Sequence, residues 1–247
     1  MEISICIIAT NRYKEYLLNL LMGIQKYFLV DHNVTCHLFI DEKEFEHKDK
    51  FDEIKIETHQ IPSYGFPEAT LKRFAIMTSL PRERYGDYLF YIDADMSVVD
   101  TIPNDIFAPP ELENVLIDII VVQHPGFFNK QPNNSWEHRV ESNCYVKPQH
   151  RTRYVAGGIN GGKRDKWYDA MLTMRKWIDA DLENGIIPKW HDETALNAWV
   201  SINAIDSIIY LDPSYCMPEP ESKRIAWGIN NFKPKILALE KPKNFRV

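Results

Sequence analysis

The sequence predicts an α/β fold built on a mainly parallel sheet with helices on both faces. Two observations carry this. Short apolar runs alternate with segments of helical apolar spacing, and the run Tyr88 to Ile92 has the length and aromatic content of a central strand. Composition agrees: 247 residues, 45% hydrophobic and 26% charged, are the proportions of a globular domain. A chain of that length buries roughly 70–75% of its unfolded surface and needs no covalent staples.

The elements follow in order. Ile3 to Ala9 reads as a buried strand that ends at Thr10-Asn11, residues suited to a helix-capping turn. Leu17, Leu18, Leu21, Ile24, Tyr27 and Phe28 recur at helical spacing. Val34 to Ile40 and Ile54 to Ile61 are strand-like, and a helix is expected to start near Pro67 and carry Leu71, Phe74, Ala75 and Leu80. After Tyr88 to Ile92, the segment Val115 to Gln123 reads as another strand. Trp167, Ala170, Met171, Met174, Trp177 and Ile178 form the stripe of a long helix, and Leu196, Ala198, Trp199 and Val200 continue an amphipathic segment opened at Trp190. Between them Gln123 to Gly162 lacks periodicity, and irregular stretches of that length usually serve function. No repeat or linker divides the chain, so one domain spanning 1–247 with a large second lobe is expected.

Charge and composition exclude some functions. A net charge of −6, from 29 basic and 35 acidic residues, argues against general nucleic-acid binding, which needs a basic face. No apolar stretch approaches the ~20 residues of a membrane span, and the first thirty residues lack a leader pattern. The four cysteines, Cys6, Cys36, Cys144 and Cys216, are tens of residues apart, which fits reduced thiols in a cytoplasmic protein.

Four motifs carry candidate chemistry. Asp93-Ala94-Asp95 follows the Tyr88 to Ile92 strand, so both carboxylates emerge together at the carboxyl edge of the sheet, where parallel α/β sheets bind ligands. Two such groups repel unless a cation stands between them, and oxygen ligands suit Mn²⁺ or Mg²⁺ beside phosphate; the bland alternative is a pair of solvated turn aspartates. The tract Tyr154 to Gly162 holds four of the ten glycines and reads as a ligand wall or a tight connecting loop. Trp190-His191-Asp192-Glu193 places two acids in a first helical turn, where the dipole alone favours them, yet indole and carboxylate together also suit a sugar. His124 stands at a strand-to-loop junction, a position more often structural than ligand-binding. Phe127, Phe128, Trp136 and Tyr145 follow in the irregular stretch and need covering.

Taken in order, these motifs resemble glycosyltransferase family 6, which includes the blood-group A and B transferases and the α1,3-galactosyltransferases. The resemblance runs from Ile8-Ala9-Thr10-Asn11-Arg12-Tyr13 through Thr70-Leu71-Lys72-Arg73-Phe74, Asp93-Ala94-Asp95, His124-Pro125-Gly126-Phe127, the glycine tract, Trp190-His191-Asp192-Glu193 and Leu211-Asp212-Pro213-Ser214-Tyr215 to Pro242-Lys243-Asn244. It implies a GT-A fold, with a nucleotide-binding half of about 1–122 and an acceptor-binding and catalytic half of about 123–247. It also implies retaining transfer of N-acetylgalactosamine, in preference to galactose, from a UDP-sugar (UDP-GalNAc or UDP-Gal) to the 3-hydroxyl of an oligosaccharide β-galactoside, fucosylated or not.

By the same resemblance Asp93 and Asp95 hold Mn²⁺, or Mg²⁺, against the diphosphate, and Glu193 is the catalytic carboxylate under the anomeric carbon, within reach of the acceptor. Ile8, Ala9, Tyr13, Arg73, Ala94 and Asp192 match donor-contacting positions. Ala156, Gly157 and Gly158 match the stretch that selects the donor sugar, small enough for an acetamido group. Lys243 belongs to a closing tail, and His124, Ser135 and Trp190 fall at acceptor positions. Two departures stand out. The chain begins almost at the first strand, like the shorter bacterial and phage forms without a membrane anchor, and Ser135 stands where the family has threonine. A haloacid-dehalogenase-like phosphatase using Asp93 and Asp95, and a glycan-binding protein without turnover, are the rival readings; the former normally carries its aspartates on the first strand.

Overall fold

Strand β1 (Glu2–Ala9) shows the alternation that organises the molecule: Ile3, Ile5, Ile7 and Ala9 enter one hydrophobic core, Cys6 and Ile8 a second. In the computed structural model, which describes residues 1–107, 117–130, 132, 134–203, 207–242 and 245, this strand lies inside a seven-stranded sheet. Its members are β2 (Asn33–Ile40), β3 (Ile54–Gln60), β4 (Tyr88–Ile92), β6 (Ile119–Gln123), β7 (Val155–Lys163) and β8 (Ile208–Leu211), after β5 (Met96–Val98) is set aside in a small second sheet with β9 (Met217–Pro218) and β10 (Ile236–Ala238). The order is β3-β2-β1-β4-β7-β6-β8, and all neighbours are parallel except those of β7, which runs antiparallel to both β4 and β6. The GT-A type of sheet that the resemblance implies is therefore present.

Helices cover both faces. On the first, α1 (Leu17–Tyr27) buries Leu17, Leu20, Leu21 and Ile24, each worth about 1.5–3 kcal/mol of apolar transfer. On the second lie α3 (Arg73–Met77), α4 (Arg164–Glu183) and α5 (His191–Ile202), with Phe74, Met77, Trp167, Met171, Met174 and Leu196 inside. Short α2 (Glu68–Leu71) precedes them, and α6 (Glu221–Trp227) sits near the end of the chain.

Several expectations are corrected. Thr10 starts a 3-10 turn, Asn11–Tyr16, without capping it: its hydroxyl donates to the Tyr64 carbonyl at 2.6 Å instead. The helix expected after Pro67 is two short pieces broken at Lys72 (φ −92°, ψ 0°), and Leu80 lies beyond both. The strand read as Val115 to Gln123 starts at Ile119, residues 115 and 116 lying outside the described residues. The glycine tract is strand β7, paired with β4 over residues 159–163 and with β6 at 155 and 160–162, and it ends the irregular stretch at residue 154.

The four cysteines are buried free thiols. Aromatics of the irregular stretch find their cover internally: Trp136 and Phe127 pack edge-on against Tyr154 at 5.2 and 5.4 Å. Two buried acids pin that stretch. Asp181, on α4, accepts hydrogen bonds from Ser142 Oγ (2.5 Å), Asn143 N (2.7 Å) and Asn143 Nδ2 (2.8 Å). Glu137 accepts from the backbone N–H groups of His138, Arg139 and Lys189 and from the Arg139 guanidinium.

Close packing explains the glycines of β7. A Cβ on Gly161 would stand 2.5 Å from the Leu89 carbonyl oxygen, and one on Gly162 (φ +155°) 2.1 Å from that of Asp118. Gly162→Ala is therefore expected to cost about 3 kcal/mol or more in urea unfolding. Gly185→Ala, at φ +70° in open space, should cost about 1 kcal/mol, and equal midpoints for the two variants would refute the packing argument.

For Glu137, burial alone would raise the carboxyl, but Arg139 and the backbone N–H donors outweigh it and hold it at about 2. Its folded-state value lies below the unfolded one, so the stability it contributes is present above pH 4.5 and is lost as pH falls toward 2. Glu137→Gln should cost about 1–3 kcal/mol at pH 7 and flatten the acid limb of a urea-midpoint profile over that window.

Candidate active site

The carboxyl ends of β1 and β4 open into a cavity of about 370 Å³. Ile8, Tyr13, Arg73, Asp93, Ala94 and Asp95 line it, so six of the residues assigned to donor contact stand together. Ala9 does not: its side chain is fully buried in the first core. Thr10, Tyr64, Phe66, Thr70, Lys241 and Phe245, which the sequence analysis assigns no site role, are also part of the wall. An aromatic surface dominates one side, where Phe245 packs edge-on against Tyr13 at 5.1 Å beneath the Arg12 guanidinium at 4.6 Å. Lys243 lies outside the described residues; the tail reaches the cavity through Lys241 and Phe245.

Arg73 is 4% exposed and joins three elements. Its guanidinium donates to Asp93 Oδ1 at 2.8 Å and to the Gly157 carbonyl at 2.7 Å, pairs with Asp192 at 2.5 Å, and covers the Tyr91 ring at 3.9 Å. Tyr91 donates its hydroxyl to the same Asp93 oxygen at 2.7 Å. Asp95 is paired with Lys241. One more buried donor, Arg73 Nε, finds no acceptor among the described residues.

Glu193 is not among the residues lining the cavity. It is half-buried: the Gly157 N–H donates to its Oε2 at 2.8 Å and the Tyr154 hydroxyl meets its carboxylate. Asn197, one turn on, grips the N–H and carbonyl of Val155 at 2.8 and 2.9 Å and so fixes α5 to β7. His124 keeps a structural bond, its Nδ1 accepting from Gly126 N at 3.1 Å, while Glu193 acts on it electrostatically. Ser135 is 8% exposed, whereas Trp190 is 51% exposed at the surface. His191, unused in the sequence reading, contacts Thr70 Oγ1 at 3.1 Å and Phe66 edge-on, tying the start of α5 to the cavity rim.

The stretch 156–158, expected to select the donor, is closely packed. Ala156 is buried in the first core, a Cβ on Gly157 would stand 3.2–3.3 Å from Glu193, and one on Gly158 would stand 2.1 Å from the Met96 methyl and 3.3 Å from Asp93 Oδ2.

Charge is out of balance here. Among the described residues, Asp93, Asp95, Asp192 and Glu193 face the cations Arg73 and Lys241, four negative groups against two positive. The excess shows in the carboxyls. Burial, then the charge of Asp93, pushes Asp95 up despite Lys241, and burial pushes Asp192 up to about 7 despite Arg73. The four-carboxylate cluster holds two more acids than cations, and within it Asp93 and Asp95 are an oxygen donor pair that suits a divalent hard cation.

The model of glycosyltransferase family 6 matches residues 1–227. The "O-antigen biosynthesis glycosyltransferase WbnI" of Escherichia coli is 26% identical over 221 residues, 89% of each chain. The "Histo-blood group ABO system transferase 1" of Rattus norvegicus is 23% identical over 99% of this chain and 68% of its own length. The "Globoside alpha-1,3-N-acetylgalactosaminyltransferase 1" of Gallus gallus is 24% identical over 80% of this chain, which spans 57% of that protein. No described helix is long and apolar enough to cross a membrane.

Removing Arg73 leaves Asp93 and Asp192 unpaired. Arg73→Ala should cost about 3–5 kcal/mol in urea unfolding. Adding Asp192→Asn should recover part of that loss in a double-mutant cycle, and strict additivity would deny the coupling.

Proposed function

The chain belongs to glycosyltransferase family 6, and on that premise we propose that it transfers N-acetylgalactosamine, in preference to galactose, from a UDP-sugar to the 3-hydroxyl of a β-galactoside, with an α1,3 linkage and retention at the anomeric carbon. Membership sets aside the phosphatase reading. The supporting observation is the carboxylate cluster: Asp93 and Asp95 line the cavity, Arg73 ties Asp93 to Asp192, and the neighbouring Glu193 is held by the Gly157 N–H. Two of the relatives are named as α1,3-N-acetylgalactosaminyltransferase and blood-group transferase, which supports the choice of donor and linkage.

In this reading residues 1–122 hold the nucleotide and 123–247 the acceptor, within one unit. Tyr13 and Ile8, with Tyr64 and Phe66, give the nucleoside an apolar, aromatic seat. Asp93 and Asp95 would hold Mn²⁺ or Mg²⁺, which when bound neutralises charge developing on the departing diphosphate. Arg73 Nε and Lys241 supply further donors on that side, and Lys243 is assigned there by the family pattern. Glu193, oriented by the Gly157 N–H, faces the opposite charge: as the sugar–phosphate bond breaks, the anomeric carbon becomes cationic, and a carboxylate stabilises it as nucleophile or as electrostatic partner. His124, Ser135 and Trp190 are the acceptor-side residues. Phe245 and Lys241, closing over the cavity, exclude water that would hydrolyse the donor.

Incubation with UDP-GalNAc or UDP-Gal, Mn²⁺, and a β-galactoside with and without fucose tests the donor and acceptor together. Product formation is expected to be faster with UDP-GalNAc. Glu193→Gln should lower kcat/KM at least ~30-fold, about 2 kcal/mol, with the fold intact by circular dichroism. Excess chelator should abolish transfer, and full activity there would show that the aspartate pair holds no metal. A glycan-binding protein without turnover would bind the acceptor and release no UDP.

A further inference from the structure

Among the described residues, one group of three His, Cys, Asp or Glu side chains brings its ligand atoms within 4.8 Å of one another: His37, Glu57 and His59. It lies on β2 and β3, at the outer edge of the sheet, and none of its members lines the donor cavity. Parallel pairing sets His37 opposite Glu57 and Phe39 opposite His59, so Glu57 and His59, two apart on β3, project to the face that His37 occupies. His37 Nδ1 stands 3.1 Å from His59 Nε2 and 3.6 Å from Glu57 Oε2. A tetrahedral ion with bonds of about 2.0–2.1 Å separates its ligand atoms by about 3.3–3.4 Å, between those two distances.

The surroundings suit ligation. Ser4 Oγ, 3.2 Å from His37 Nε2, fixes that ring from behind and itself accepts the Gly86 N–H at 2.9 Å, while Tyr85 abuts the ring edge-on at 5.0 Å. His37 Nδ1 and His59 Nε2 are the ring nitrogens that face each other, and each offers a lone pair when its imidazole is neutral. Glu57 is ionised, burial being outweighed by Lys55 and Arg84. Those two cations are the competitors, at 2.6 and 2.8 Å from its oxygens. Their side chains are 68% and 52% exposed, so they can return to solvent without disturbing the core. Two imidazoles and a carboxylate, with the fourth position open to water, are ligands for Zn²⁺ and its first-row neighbours.

We propose that His37, Glu57 and His59 form a second metal site, of the Zn²⁺ class, that pins edge strand β3 to β2. From β3 the chain runs through Ile61, whose N–H donates to the Ile40 carbonyl at 2.8 Å, to Tyr64, Gly65 and Phe66 of the cavity wall. The ion thus stiffens one side of the donor cavity from outside it.

The test uses the full chain carrying Asp93→Asn and Asp95→Asn, so that the donor site takes up no ion. Calorimetric titration with Zn²⁺ should give one equivalent, and Co²⁺ should give a visible d–d band. His59→Ala should remove the band and weaken Zn²⁺ at least about tenfold, with unchanged circular dichroism in chelator. Arg84→Ala, which removes a competing cation, should tighten Zn²⁺ severalfold and decides the matter if His59→Ala does not fold. Absence of saturable one-to-one uptake, uptake indifferent to His59, or an affinity not tightened by Arg84→Ala overturns the site.

Discussion

The site depends on one buried cation. Arg73 leaves a short helix and enters the space between β4, β7 and α5, where Asp93, the Gly157 carbonyl, Asp192 and the Tyr91 ring all receive it. Taking a guanidinium out of water costs several kcal/mol, and only good geometry with every partner offsets that. The three elements are therefore held in one relative position by the requirement to satisfy one side chain. Whatever fixes Asp93 at the end of β4 also fixes Asp192 at the start of α5, and with it the neighbouring Glu193. Fold and site share this constraint, so the carboxylates cannot drift apart without unpairing a charge.

That cation is not enough for the acids around it. Lys241 reaches Asp95 from the tail and covers the Tyr13 ring at 5.3 Å, and four residues later Phe245 packs on Tyr13 and Tyr16. The tail is thus held by an ion pair at one point and by aromatic contacts at another. A divalent ion that takes Asp95 must compete with Lys241, so the seat of the tail and the occupancy of the aspartate pair are thermodynamically linked.

Much of this was legible in the chain. Strands β1, β2 and β4 and helices α1, α4 and α5 carry their periodicity openly, since each buries one face against a core. Asp93 and Asp95 were readable because a strand end places them. Strand β7 was not: Gly157, Gly158, Gly161 and Gly162 give it no apolar alternation, and what they pack against is distant in sequence, as with Glu193 for Gly157, Leu89 for Gly161 and Asp118 for Gly162. Glu137 and Asp181 look like ordinary surface acids in sequence. Their burial comes from backbone donors elsewhere, at Lys189 and Asn143, which no local pattern announces. Lys241 is equally silent, one lysine in a basic tail until the fold brings it to Asp95.

The small residues at 156–158 also have a packing reason that the local sequence does not display. As sequence they mean room for a ligand. In the fold, Ala156 fills part of a core, Gly157 is pressed by Glu193, and Gly158 by the Met96 methyl and Asp93. Because β7 runs opposite to β4, its first residues meet the carboxyl edge of the sheet, and the Gly157 peptide faces the site from both sides. Its N–H holds Glu193 and its carbonyl receives Arg73. Glycine there serves to let two charged side chains approach bare backbone, which a methyl group would block on the Glu193 side. A larger residue at 157 would consequently act on the carboxylate first, and on any bound sugar only through it.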